Sequence, residues 1–440
     1  MKNLVLHTAF ALTFTSGLSY IFGLIRDRAF STQFGLSAEL DVYYAAFAIP
    51  DLFLGLLVTG ALSSAFIPIF SNFEEKNKEE SIHYTNQVLS YGLLLLAIFG
   101  GIFALILPYV AHHLVEFEGA QLEQYIFVTR WMLLSPILFT ISNTFGNVLI
   151  SIKDFLWYGM APIMYNVGLL FGVYVLSPTM GLTGLVIGTL LGAALHLAIR
   201  LPSTLKYGYR FRPDFKFDHK MKETASLMLP KMLQIGMWQV LLWWFINLAS
   251  DLPEGSVSAY QFSRNFQSAP VSLLGIAISL SAFAQLSHLA ARKEFGKFAR
   301  VVRRKGFLIF FYTVLSAIAL AVLSKFIITI FLGGGKFGPE AISLTATMLA
   351  VYAISIPFES LMHLLARGHF ALKNTLRPSV IHILTITMTM VFSEMLLDEF
   401  AILAIPISFA IGPAIQVALL TISLAQLLKK KNVELVKDDY

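Results

Sequence analysis

Cysteine is absent from all 440 residues, which excludes disulfides, thiolate metal sites and cysteine nucleophiles and leaves the redox compartment unmarked. Charge is scarce as well: 13% of residues are charged against 57% hydrophobic, and the mean hydropathy is +0.72. A water-soluble fold has no means of hiding so much apolar surface. No D-x-x-D pair is present to hold magnesium for an enzyme acting on polyprenyl phosphates. His112, His113, His363 and His382 lack metal-ligand spacing with carboxylates. Neither an enzymatic activity nor a cofactor or metal is therefore expected.

What the chain has instead is a succession of long apolar runs, such as YGLLLLAIFGGIFALILPYV at 91–110. Each is long enough to cross a hydrocarbon core, which requires about 20 residues of helix. The short alternating strands of an outer-membrane barrel do not occur. Hydropathy predicts about twelve spans, near 8–34, 38–70, 84–112, 122–151, 157–177, 180–201, 224–249, 256–290, 305–332, 338–366, 376–397 and 400–428. Pro50, Pro68, Pro136, Pro270 and Pro357 supply kink sites in spans longer than the minimum. The N-terminus has the outline of a signal peptide but no small-x-small cleavage site, and reads as a retained first span.

Lysine and arginine gather in alternate loops. The segment after the sixth span carries Arg200, Lys206, Arg210, Arg212, Lys216, Lys220 and Lys222, and that after the eighth carries Arg292, Lys293, Lys297, Arg300, Arg303, Arg304 and Lys305. Lys2, Lys76, Lys78, Lys153, Arg367, Lys373, Arg377, Lys429, Lys430, Lys431 and Lys437 fall on the same side, whereas the opposite loops offer only Lys336. Both termini are thus expected in the cytoplasm. The net charge of +6 is assigned to anionic lipid headgroups beside these loops and not to nucleic acid.

The polar segment 203–222 divides the chain into an expected N-lobe (1–202), a basic linker (203–222) and a C-lobe (223–440). The fold class expected is an all-α polytopic membrane protein with two six-helix lobes around a central cavity, as in transporters. Ser64-Ala65-Phe66 recurs as Ser281-Ala282-Phe283 in the second span of each half and supports two lobes. Residues 287–306 interleave apolar and basic side chains at helical spacing, reading either as a helix on the membrane surface or as a solvated extension. GGGKFG at 333–338 lacks the Walker spacing and reads as a helix stop and turn.

An unpaired charge at mid-bilayer costs at least about 2.5–3.5 kcal/mol, so ionisable groups within the spans are informative. They are Arg26, Asp27, Arg28, Asp41, Asp51, Arg130, Lys231, Arg264, Glu359 and Glu394. Arg26 and Arg264, from corresponding regions of the two halves, are substrate-binding candidates, since two guanidinium forks can hold a phosphate or pyrophosphate bidentately. The alternative for Arg26 is an internal ion pair with Asp27 or Asp41. Arg264 has no acid close in sequence. Asp27, Asp41 and Asp51 are gating or ion-coupling candidates, with static pairing as the alternative. Glu359, just after Pro357, is a proton- or cation-responsive candidate, or else bonds a backbone group freed by the kink. Arg130, Lys231 and Glu394 lie near span ends and read as snorkelling. Trp238, Trp243 and Trp244 read as packing or interfacial residues.

The first two spans contain GLIRD, QFG, an aspartate before YYAAF, AIPDL and GALSSAFIPIFS, followed downstream by GSVSAYQFSRNFQSAPVSLLGIAIS at 255–279, GGKF, and ARGHFALKNTLRPS at 366–379. In this order the elements resemble those of the MurJ (MviN) lipid II flippases of the multidrug/oligosaccharidyl-lipid/polysaccharide exporter superfamily. The resemblance implies two six-helix lobes around a cationic cavity and transport of an undecaprenyl-pyrophosphate-linked peptidoglycan precursor, with the polyprenyl tail remaining in lipid. It matches the family's arginine and aspartate to Arg26 and Asp27, its second-span aspartate to Asp41 and its eighth-span arginine to Arg264. The chain departs from the pattern where Tyr20 replaces the first arginine of SRVxGxxRD, where Leu54 and Gly55 replace an arginine pair, and where Gln267 replaces an acid. It is also expected to stop after twelve helices where the family usually has fourteen. Partners implied are a lipid-linked saccharide and membrane lipids, with cell-wall synthesis proteins if the chain is a non-transporting homologue. A cation or drug exporter using Asp41 and Glu359 is the other transporter reading.

Overall fold

The computed structural model describes residues 2–56, 66–74 and 77–438. Among them the chain is helical throughout: α1 (Lys2–Phe34), α2 (Ala38–Leu54), α3 (Ile67–Glu74), α4 (Lys78–Val110), α5 (Gly119–Met132), α6 (Ser135–Ser151), α7 (Phe155–Phe171), α8 (Ser177–Met180), α9 (Leu182–Ala198), α10 (Leu201–Lys206), α11 (His219–Ser250), α12 (Ser256–Pro270), α13 (Ala277–Ala291), α14 (Phe295–Phe331), α15 (Pro339–Tyr352), α16 (Ile356–Ala371), α17 (Leu376–Met395), α18 (Leu397–Phe400) and α19 (Ala404–Asp438). Ser64, Ala65 and Lys76, and the side chains of Lys2, Lys231 and Lys437, lie outside the described residues.

Nine stretches among the described residues are long and apolar enough to cross a membrane. The three other expected spans fall on α1, on α2 with α3, and on α11, where side chains are only partly described. α14, with 37 residues, is about 55 Å long at 1.5 Å per residue, so its basic start extends beyond a hydrocarbon core of about 30 Å. The prolines act in different ways. Pro270 is followed by a π-helical segment, Val271–Ile276, that joins α12 to α13. Pro136 and Pro357 open new helices after breaks, because a proline ring is tolerated in a first turn that lacks hydrogen-bond acceptors for its missing N–H. GGGKFG forms the expected turn, with Gly335 at φ 56°.

The chain forms two compact units, Met1–Val257 with Gly334–Phe337, and Ser258–Gly333 with Gly338–Tyr440. In the first, α1 packs on α7, α7 on α9, α2 on α5 and α11, and α4 on α6. Segment 203–222 is strapped along the polar first turns of α4. Its Tyr209 hydroxyl is 2.9 Å from Ser81 Oγ, Arg212 N–H donates to Asn86 Oδ1 (3.1 Å), Asp214 N–H donates to Ser90 Oγ (2.9 Å), and Lys220 pairs with Glu80 (2.8 Å). In the second unit α14 packs on α15 and α16, α16 on α13 and α19, and α17 on α19.

One turn recurs three times. Lys153, Lys293 and Lys373 each adopt positive φ (65°, 57° and 58°) just past the end of α6, α13 and α16. Each is followed by a residue whose N–H reaches back to a carbonyl of the finished helix: Asp154 to Leu149 (2.8 Å), Glu294 to Leu289 (3.0 Å) and Asn374 to His369 (3.0 Å). This is the Schellman closure that usually takes glycine. Lysine accepts a left-handed penalty of about 1–2 kcal/mol, and sets a cation where the helix carbonyls concentrate negative charge.

α7 and α9 meet through backbone. Ideal Cβ atoms on Gly168 and Gly188 would lie 2.3 Å from the Cα atoms of Gly192 and Gly172 respectively. Small residues at four-residue spacing permit this approach, which is how helices associate where no hydrophobic force separates protein from lipid. Gly188→Leu is therefore expected to destabilise the protein by about 3 kcal/mol or more, seen as loss of the monodisperse peak in detergent. Gly100→Leu, at a position with open space around it, should leave that peak unchanged.

Candidate functional site

In the first unit Arg26 stands on α1 with its side chain 25% exposed. Its Nη2 and Nε donate to Asp27 Oδ1 at 2.7 and 3.0 Å, its Nη1 donates to Asn166 Oδ1 at 3.3 Å, and its carbon Cζ lies 6.0 Å from the Phe30 ring centroid. Phe30 in turn meets Tyr43 edge-on at 5.4 Å. The pairing anticipated for Arg26 is thus made by Asp27. These contacts engage three of the five N–H donors of a guanidinium.

Asp41 is buried and accepts from the Gly255 N–H at 2.6 Å, while Glu254 accepts from the Ala38 N–H at 2.8 Å. The turn before α12 and the start of α2 are therefore tied by two carboxylates. Asp51 is exposed and makes no side-chain hydrogen bond or ion pair among the described residues; only its carbonyl is used, accepting from Gln239 Nε2 at 3.1 Å.

In the second unit Arg264 on α12 is 12% exposed and has an acid after all, supplied by α16: its Nη2 lies 3.6 Å from Glu359 Oε1, whose side chain is 6% exposed. The guanidinium also lies 4.6 Å from the Phe409 ring centroid on α19, a cation–π contact of about 0.5–2 kcal/mol. Gln267 bridges the pair. Its Oε1 accepts from Arg264 Nη1, and its Nε2 donates to Glu359 Oε2 (2.7 Å) and Ser355 Oγ (2.9 Å). This explains the departure at 267: an acid there would have no N–H for Glu359 and would set two carboxylates together. Glu359, a proton- or cation-responsive candidate with bonding to a backbone group freed by Pro357 as the alternative, is held by Gln267 and Arg264.

Of the remaining ionisable residues, Arg28 and Glu394 are exposed, and exposed Arg130 donates to the Ala104 carbonyl at 3.0 Å. Trp243 Nε1 donates to the Leu114 carbonyl at 3.1 Å. Among the described residues no group of three or more metal-ligating side chains occurs. Arg200, counted above as a loop cation, is buried: its Nη1 donates to the Ser142 carbonyl (2.7 Å), and its Cζ stacks 5.0 Å from the Tyr158 centroid. Gly146 makes the room, since a Cβ there would lie 2.6 Å from the Arg200 Nη1. Asn166 was passed over in the sequence because a neutral amide in an apolar helix attracts less notice than a charge, and Gln267 was marked only as the replacement of an acid. Their position beside an arginine is set by packing alone.

Span-length apolar helices define a multi-pass membrane protein. The fold is that of the exporter superfamily: an inward-facing multidrug resistance MATE transporter of the MOP superfamily superposes with a TM-score of 0.77 over 94% of this chain and 95% of its own, at 12% identity. A lipid II flippase MurJ in an inward closed conformation superposes with a TM-score of 0.81 over 94% of this chain and 87% of its own, at 23% identity.

The chain belongs to the MurJ lipid II flippase family, whose profile matches residues 30–439. Among individual relatives, a probable lipid II flippase MurJ of Thermotoga maritima is 30% identical over 374 residues, 83% of this chain and 75% of the relative. One of Bdellovibrio bacteriovorus is 27% identical over 437 residues, 95% of this chain and 82% of the relative. The protein is accordingly a multi-pass protein of the bacterial cytoplasmic membrane.

The bridging role of Gln267 has a stability signature. Gln267→Leu strips a hydrogen bond from each ion of the pair, and should lower stability by about 1–3 kcal/mol. Glu359→Gln added to it should lower stability further, because Arg264 then loses the carboxylate that neutralises it. Thermal unfolding of wild type and the two variants in detergent measures both; equal melting of wild type and Gln267→Leu would mean that the bridge contributes nothing.

Proposed function

We propose that the chain carries a polyprenyl-pyrophosphate-linked saccharide, the peptidoglycan precursor lipid II or a relative, across the cytoplasmic membrane by alternating access. The observation that carries this reading is that a member of this family keeps one partly exposed arginine in each unit, Arg26 and Arg264, each set against an aromatic ring and a carboxylate. A guanidinium fork matches the geometry of phosphate oxygens. The carboxylates neutralise the arginines while no head group is bound, and the pyrophosphate takes their place when it arrives, so that Asp27 and Glu359 act as gating groups by exchange of partners.

Asp41 gates differently in this reading, through its hold on the turn at Gly255. Asp51, exposed and unpaired among the described residues, is the ion-coupling group. Tyr20, Leu54 and Gly55 stand where the family pattern has arginines, so the head group is held by fewer cations and released more readily. The tail remains in lipid. The lysine- and arginine-rich loops face the cytoplasm, along with both termini.

Expression in cells depleted of their lipid II flippase tests the transport reading. Wild-type chain should restore growth, while Arg26→Ala or Arg264→Ala should reduce flipping about 100-fold, the equivalent of two charge-assisted hydrogen bonds, with unchanged amounts of folded protein. Full transport by both arginine variants together with loss in Glu359→Gln would make the chain a cation carrier instead. Orientation is tested separately. Because the chain has no cysteine, a single cysteine at Arg292 should react with an impermeant maleimide only from the cytoplasm, and one at Lys336 only from outside.

A further inference from the structure

The basic start of α14 lies between two grooves of the second unit. One, of about 470 Å³, is bounded by α14, α16 and α19; Phe310, Leu364 and Leu424 line it, Gly306 and Thr421 leave it open, and Arg303 stands in its wall. The other, of about 440 Å³, runs along the side of α14 that faces α13, where Gln285, Arg304 and Lys305 line it. Phe307, 69% exposed, borders both grooves. Three consecutive cations thus line two slots divided by one aromatic ring, Arg303 the first and Arg304 and Lys305 the second.

These cations are uncommitted. Among the described residues no carboxylate pairs with Arg303, Arg304 or Lys305, and nearby Glu294 is taken by Lys297 at 2.6 Å. Each groove falls within the roughly 300–1,000 Å³ of small-molecule sites, but the larger one offers scarcely any polar group apart from its arginine. A soluble anion would find nothing to fill it. An amphiphile with two apolar chains and an anionic head matches every part, and a zwitterionic head would find no acid for its ammonium group. Basic clusters at the ends of membrane helices draw anionic lipids with about 1 kcal/mol per lysine or arginine.

We infer that the start of α14 is a binding site for one anionic phospholipid, with an acyl chain in each groove on either side of Phe307 and its anionic head drawn by the field of Arg303, Arg304 and Lys305. The occupant joins α13, α14, α16 and α19 at their basic ends. The site is distinct from the arginine–carboxylate network at Arg264 and does not depend on the transport reading.

The test uses the purified full-length chain, stripped of lipid in detergent and titrated with phosphatidylglycerol or phosphatidylcholine, with bound lipid counted by native mass spectrometry. Phosphatidylglycerol should bind at least about tenfold more tightly than phosphatidylcholine. The triple variant Arg303→Ala, Arg304→Ala, Lys305→Ala should bind it about 100-fold more weakly, the sum expected from three surface cations. Gly306→Leu alters no charge, and its Cβ has 3.6 Å to the nearest Leu364 methyl, so the chain folds with one groove filled; this variant too should lose phosphatidylglycerol. Equal binding of the two phospholipids, or wild-type retention of phosphatidylglycerol by either variant, would overturn the assignment. So would displacement of bound phosphatidylglycerol by a polyprenyl phosphate, which would give the grooves to the carrier lipid.

Discussion

A guanidinium among membrane helices persists only if neighbouring groups share its charge, and that requirement organises both units of this protein. In the first, the neutralising acid is the next residue along α1, so the pair forms with the helix itself. In the second, the acid comes from α16 and is reached through an amide, so the pair exists only once α12 and α16 have packed. Both arginines also rest on rings, which add attraction without adding a second full negative charge. The result is a cation stable enough to fold around that stays partly exposed in each unit.

The same scarcity of water governs the backbone. Where helices must approach closely, as α7 and α9 do, glycine replaces side chains and the contact is made by main-chain atoms. Where helices must end, three lysines take the left-handed position that closes the last turn. The polar segment between α10 and α11 is tied down as well, since Asn86 and Ser90 on α4 receive the N–H groups of Arg212 and Asp214. The polar residues thereby bound the apolar body at fixed places, and those places are also where anionic lipid finds cations.

Much was readable in advance. Runs of about 20 apolar residues announce helices directly, because length and hydropathy decide crossing without reference to partners. Arg26 with Asp27 was legible for the same reason, being a local pair. The departure at Gln267 was visible as a substitution but not as a bridge, since Glu359 is remote in sequence. Arg200 was misplaced among the loop cations because burial of its guanidinium depends on Gly146 and on carbonyls of α6 and α7. Pro136 and Pro357 stand at breaks inside single spans, Gly119–Ser151 and Pro339–Ala371, where each opens the helix that follows.

By itself, then, the sequence determined membrane residence, helical class and the family motifs, all properties of composition and local periodicity. Tertiary structure alone decided the partner of each ion: Glu359 for Arg264, the Gly255 amide for Asp41, none among the described residues for Asp51. The reason is physical. Hydropathy is additive along a chain, whereas the neutralisation of a buried charge is a contact between helices, and no local pattern encodes which helices meet.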